Sequence, residues 1–142
     1  MNKLIIVFLA CLSSTSFAKE TYPNITISNI VSVYDGDTIK VNIDNYPAVI
    51  GKSISIRIRG IDAPEMRAKC SSEKTKAKLA RDYLRAILAR GEVLELHNVE
   101  RGKYFRIVAN LIVDDVDIAE LMIEKQLARK YDGKAKRLSW CN

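Results

Sequence analysis

The segment Ser53-Ile54-Ser55-Ile56-Arg57-Ile58-Arg59 constrains this chain more than any other, because apolar and polar residues alternate along it without a break. A period of two puts the isoleucines on one face of an extended strand and both arginines on the other. No helix sorts these residues, so the segment demands a sheet with one buried face. Ile39-Lys40-Val41-Asn42-Ile43 repeats the pattern. Ile30 to Tyr34 reads as a further strand, stopped by the turn tripeptide Asp35-Gly36-Asp37, and Asp44-Asn45-Tyr46-Pro47 breaks the sheet again.

The period changes near residue 70. Ala77, Ala80, Tyr83, Leu84, Ile87 and Leu88 fall on one helical stripe, which predicts a helix from Ser71 to Arg90. Ser71 or Ser72 can cap its start, and Gly91 suits its stop. Val93 to Leu96 and Arg106 to Val113 return to strand. Asp117-Ile118-Ala119-Glu120 is a capping box opening a second helix through about Ala128, with Ile118, Leu121 and Met122 inward. The result is an α+β chain. Its economical architecture is a small twisted antiparallel sheet closed into a partly open five-stranded barrel, with two or three helices over its ends.

A chain of 142 residues has room for one domain, and an apolar share of 48% gives that domain a real core. There are no repeats and no low-complexity linker. The single histidine, His97, excludes a His-rich zinc site by counting, and its place near a strand end marks it as structural or surface.

Residues 1–18 read as a secretory signal, leaving 19–142 as a single mature domain. Lys3 supplies the positive end, Leu4 to Leu12 an apolar run, and Ser16-Phe17-Ala18 a small-x-small cleavage site. The run is too short to span a bilayer, so export to the periplasm or medium is expected. Phe8-Leu9-Ala10-Cys11 resembles a lipobox, which makes lipidation at Cys11 the alternative. Loss of Lys3 takes the formal net charge from +6 to +5, compatible with a polyanionic partner without demanding one. Two cysteines remain, Cys70 and Cys141. An even pair in an exported chain suggests a disulfide, with two free thiols as the alternative.

Acidic clusters sit at two strand ends: Asp35 and Asp37 around Gly36, then Asp62 and Glu65 around Ala63-Pro64. Turn-forming aspartates are common, so Asp35 alone carries no function. If Asp37 comes beside the second cluster, three like charges meet, and a hard divalent ion such as Ca²⁺ or Mg²⁺ is their natural partner. Arg57, Arg59 and Arg106 bring guanidinium forks that match phosphate oxygens. Carboxylates that hold a metal beside arginines can hydrolyse a phosphodiester. An exposed sheet face can carry arginines for no such purpose, so spacing alone leaves both readings open.

Three segments in combination narrow the choice. Val33-Tyr34-Asp35-Gly36-Asp37-Thr38-Ile39-Lys40-Val41, Arg57-Ile58-Arg59-Gly60-Ile61-Asp62-Ala63-Pro64-Glu65 and Lys103-Tyr104-Phe105-Arg106 closely resemble the staphylococcal (micrococcal) nuclease family, from about Ile27 to Tyr131. That resemblance implies an OB-fold and a Ca²⁺-dependent enzyme, with Mg²⁺ second, which cuts DNA and RNA and leaves 3′-phosphates. It implies metal ligation by Asp37, Asp62, the Ala63 carbonyl and Glu65, with an indifferent side chain at Ala63. Glu65 is implied as the base, and Arg57 and Arg106 as the arginines on the phosphate. Lys103, Tyr104 and Tyr131 match substrate-binding positions, with Tyr104 free to bond an oxygen or support Arg106.

Departures exist. The link from Glu65 to the first helix is short and contains Cys70, Phe105 replaces a glycine, and the tail ends in Trp140-Cys141. A monomer suffices for all of this. The alternatives are an OB-fold nucleic-acid binder without catalysis, and an exported Ca²⁺-binding interaction module. The complete Arg57, Glu65 and Arg106 set counts against the first, and the paired arginines are surplus to the second.

Overall fold

The structure, a computed structural model, describes residues 22–141. The signal reading of residues 1–18 and the alternative at Cys11 lie outside the described residues. The chain opens with β1 (Ile25–Thr26) and β2 (Asn29–Val33), bends through Asp35 to Asp37, and enters β3 (Thr38–Asn42). A one-turn helix α1 (Ala48–Gly51) precedes β4 (Ile54–Ile58) and β5 (Ile61–Asp62). Helix α2 (Ser71–Arg90) leads to β6 (Leu94–Arg101) and β7 (Ile107–Val113), followed by β8 (Val116–Asp117), α3 (Ile118–Glu124) and β9 (Arg129–Lys130).

The main sheet runs β1-β6-β7-β4-β3-β2, with β8 beside β7. Its first and last strands are consecutive in the chain, separated by Ile27 and Ser28. The Ile27 N–H donates to the Leu94 carbonyl and the Ser28 N–H to the Asn42 carbonyl, each at 2.9 Å. The two edges therefore meet at one segment, and the curled sheet forms the barrel of an OB-fold. The sheet is not wholly antiparallel as expected: β4 and β7 run parallel, with Ile56 opposite Ile107 and Arg57 opposite Val108. A parallel pair needs a long crossover, which α2 and β6 together provide.

The alternation that demanded a sheet puts Ile39, Val41, Ile54, Ile56 and Ile58 into the core. Leu96, Ala109 and Leu111 come in from β6 and β7, and α2 closes one side with Ala80, Leu84 and Leu88. The predicted bounds of α2 hold, but its cap does not. Cys70 occupies the cap position and makes no side-chain cap bond, while Ser71 and Ser72 lie inside the first turn.

Helix α3 starts as predicted, with Asp117 accepting from the Ala119 and Glu120 N–H groups. It stops at Glu124 rather than near Ala128, because Gln126 turns the chain at φ 58°. The turn delivers β9 to β5, pairing Asp62 with Arg129. Among the described residues no helix is long and apolar enough to cross a membrane.

Candidate active site

The Asp35-Gly36-Asp37 bend is clamped from three sides. Asp35 Oδ1 accepts from the Asp37 N–H at 3.1 Å, and the Asp37 carbonyl accepts from the Ile58 N–H at 2.8 Å. Asp37 Oδ2 accepts from the Ala63 N–H at 2.7 Å, so the two acidic clusters meet as anticipated. Gly36 makes this possible. A Cβ there would lie 2.8 Å from the Cβ atoms of both Ala63 and Ala80. The Ala63 side chain is therefore not indifferent: it must be small to let the clusters close, a packing demand that a carbonyl ligand role does not reveal.

Asp35, Asp37 and Asp62 are all buried, at 4%, 1% and 3% exposure. Burying carboxylates requires partners. Arg57, from the polar face of β4, pairs with Asp37 Oδ1 and approaches Asp62 Oδ1 at 3.8 Å, while its Nη2 donates to the Ile61 carbonyl at 3.2 Å. The Thr38 hydroxyl adds a bond to Asp37 Oδ1 at 3.0 Å. Pro64 follows Asp62 and Ala63, and the Glu65 N–H is anchored to Glu73 Oε1 of α2 at 3.0 Å.

Arg57, Glu65, Lys103, Arg106 and Tyr131 line one open cleft of about 770 Å³, with Asp35 at its floor. The Arg57 pKa is lowered by burial first and also by repulsion from Arg137 and Arg106, against the attraction of Asp35 and Asp62. Arg106 Nε is buried and has no hydrogen-bond partner among the described residues. Arg59 lines the same cleft and its Nε is likewise buried without such a partner, but its Nη atoms are tied to Glu100 Oε2 at 3.1 Å and the Asn98 carbonyl at 2.7 Å. His97 sits beside Glu95 at 2.9 Å and is not among the residues that line the cleft.

Comparison with known proteins agrees with this geometry. The family model described as staphylococcal nuclease homologue matches residues 55–139, more than half of the chain. This chain belongs to the staphylococcal nuclease homologue family. It is also 30% identical over 95 residues to a probable staphylococcal-like nuclease of Oryza sativa subsp. japonica. That match covers 65% of this chain but 27% of the rice protein, so the chain spans about a quarter of its relative's length.

The carboxylates and arginines singled out in the sequence come together here; Tyr104 does not join them. It is 92% exposed, so it offers no support to Arg106. Tyr104 and Phe105 both adopt positive φ, at 57° and 58°. Phe105 therefore strains the backbone at the position where the staphylococcal enzyme has glycine. Arg101 stacks over its ring at 4.4 Å and helps hold it there.

Two residues of this nuclease-homologue site escaped sequence reasoning. Arg137 pairs with Asp62 Oδ1, donates to Glu65 Oε1 at 2.7 Å and to the Ala63 carbonyl at 3.3 Å. Trp140 is buried and donates its Nε1–H to Asp62 Oδ2 at 3.1 Å. Both ride on a tail fastened by the Cys70–Cys141 disulfide, whose Cα atoms lie 5.9 Å apart. The cysteine pair was the one available signal, since it implies a tail folded back toward the first long helix.

Asp62 Oδ1, the Ala63 carbonyl and Glu65 Oε1 thus already converge on one cationic group. These three are hard oxygen donors and fit a hard divalent ion of the kind on which the family generally depends, while Asp37 lies next to them on the Ala63 N–H and Arg57.

Proposed function

We propose that this chain is an exported endonuclease that hydrolyses phosphodiesters of DNA and RNA with little sequence preference. Its ion would be Ca²⁺ in preference to Mg²⁺, and its products would end in 3′-phosphate. The observation that carries this reading is the convergence of Arg57, Glu65 and Arg106 on one cleft above three buried carboxylates.

Arg57 is held by Asp37 and the Ile61 carbonyl, so little reorganisation is needed before it meets a phosphate oxygen. Arg106 lines the same cleft and brings a second guanidinium to it. Glu65 takes a proton from the attacking water as the water oxygen bonds to phosphorus. The P–O5′ bond breaks, and the departing oxygen is protonated from the solvent-open cleft. Ca²⁺ on Asp37, Asp62, the Ala63 carbonyl and Glu65 would supply charge relief at a phosphate oxygen. Lys103 suits a flanking phosphate, and Tyr131 a base stacked without regard to its identity. Nothing beyond a monomer is needed.

The test is cleavage of single- and double-stranded DNA and of RNA, with Ca²⁺, Mg²⁺ or chelator, beside Glu65→Gln. The expected result is Ca²⁺-dependent products with 3′-phosphate ends, and turnover in the variant reduced by about 10²-fold or more. Salt-sensitive binding without cleavage under any ion would replace catalysis with recognition.

A further inference from the structure

One guanidinium occupies three oxygens of the acidic site. Arg137 reaches Asp62 Oδ1, Glu65 Oε1 and the Ala63 carbonyl together. We propose that Arg137 is a resident cation of the active site that a divalent ion must displace, so that it sets the affinity for that ion. The inference rests on the metal-dependent reading above.

Exposure gives the exchange its direction. The Asp62 side chain is 5% exposed, while that of Arg137 is 40% exposed. Without Arg137, buried Asp62 would keep only the Trp140 N–H and Arg57 at 3.8 Å, a costly state, so Arg137 stays until another cation replaces it. A half-exposed guanidinium can return to water cheaply once that happens. A guanidinium does not lose its proton in proteins. Arg137 is therefore a permanent cation in this competition.

The tail keeps it close. Trp140 is pinned between its bond to Asp62 and the Arg129 guanidinium, which lies 3.8 Å from its ring centroid. Arg129 also donates to the Ser139 carbonyl at 2.9 Å, and Lys76 to the Trp140 carbonyl at 3.2 Å. Cys141 then fastens the chain to Cys70. A side chain tethered a few residues from such anchors competes at high effective concentration.

The experiment titrates Ca²⁺ into the purified protein without substrate, by calorimetry and by the emission of Trp140, the only tryptophan. Arg137→Gln should bind Ca²⁺ about ten-fold more tightly, the scale of a lost pair of part-exposed ion pairs. Arg137→Lys keeps the charge but not the fork and should fall between the two. Cys141→Ser leaves the charge unchanged, loosens the tether and should also bind more tightly. Equal affinities throughout, or weaker binding by Arg137→Gln, would overturn the proposal. So would a lysine variant that matches the parent while glutamine binds tighter, since that is a long-range charge effect. Absence of Ca²⁺ binding in every variant would instead remove the metal-dependent reading, and the proposal with it.

Discussion

Asp35, at 4% exposure, has its carboxyl pKa pushed up to about 6 by burial and, secondarily, by repulsion from Glu65, against the pull of Arg57. The ordinary value is 3.8, so between these limits the folded state binds more protons than the unfolded chain. Stability then falls as pH rises through that window, and the cost is fully present above about 6. Asp35→Asn keeps an Oδ1 acceptor for the Asp37 N–H and removes the charge. In chelator it should stabilise the protein by about 3 kcal/mol at pH 7, with most of the gain lost near pH 4, read by thermal unfolding at both values. A gain of equal size at both would mean that the Asp35 charge is not its source. Composition showed the acidic residues, but burial made this one costly, and burial is not a property of its neighbours in sequence.

At the scale of elements, the approach of the β2–β3 bend to α2 decides whether the acidic clusters can meet. Gly36→Ala would place its Cβ 2.8 Å from Ala63 and Ala80, both on backbone with little room to yield. We expect a loss of about 1–3 kcal/mol in denaturant unfolding, the usual cost of overpacking. The loss should be smaller in an Ala80→Gly background, which removes one of the two contacts. A neutral Gly36→Ala would show that the bend has slack.

Helix α2 was legible to the residue because its stripe is long and periodic, bounded by Gly91. The shorter α3 was legible only at its start, where Asp117 caps locally. Its end is dictated by Met122, whose carbonyl accepts from Leu127 and Ala128 and draws the chain round toward β5. A two-residue strand such as β9 has no period to detect.

For the whole molecule, the Cys70–Cys141 bond closes a loop across a sequence separation of 71. On the chain-entropy account it stabilises by about 4 kcal/mol. Replacing both cysteines by serine should lower the denaturant midpoint accordingly, and an unchanged midpoint would mean that the tail adds nothing to global stability. Barrel closure is a separate matter, achieved where Ile27 and Ser28 bond to opposite edges of one sheet.

The sequence by itself determined the strand faces, the long helix, the two acidic segments and the arginines on the polar strand face. Each of these is written in local period or in a short motif. Only the tertiary structure decided that β4 and β7 run parallel, that Ala63 must be small, and that Arg137 and Trp140 belong to the site. Those facts depend on which distant segments come into contact. Arg137 is 72 residues from the glutamate it binds, and no local pattern encodes that distance.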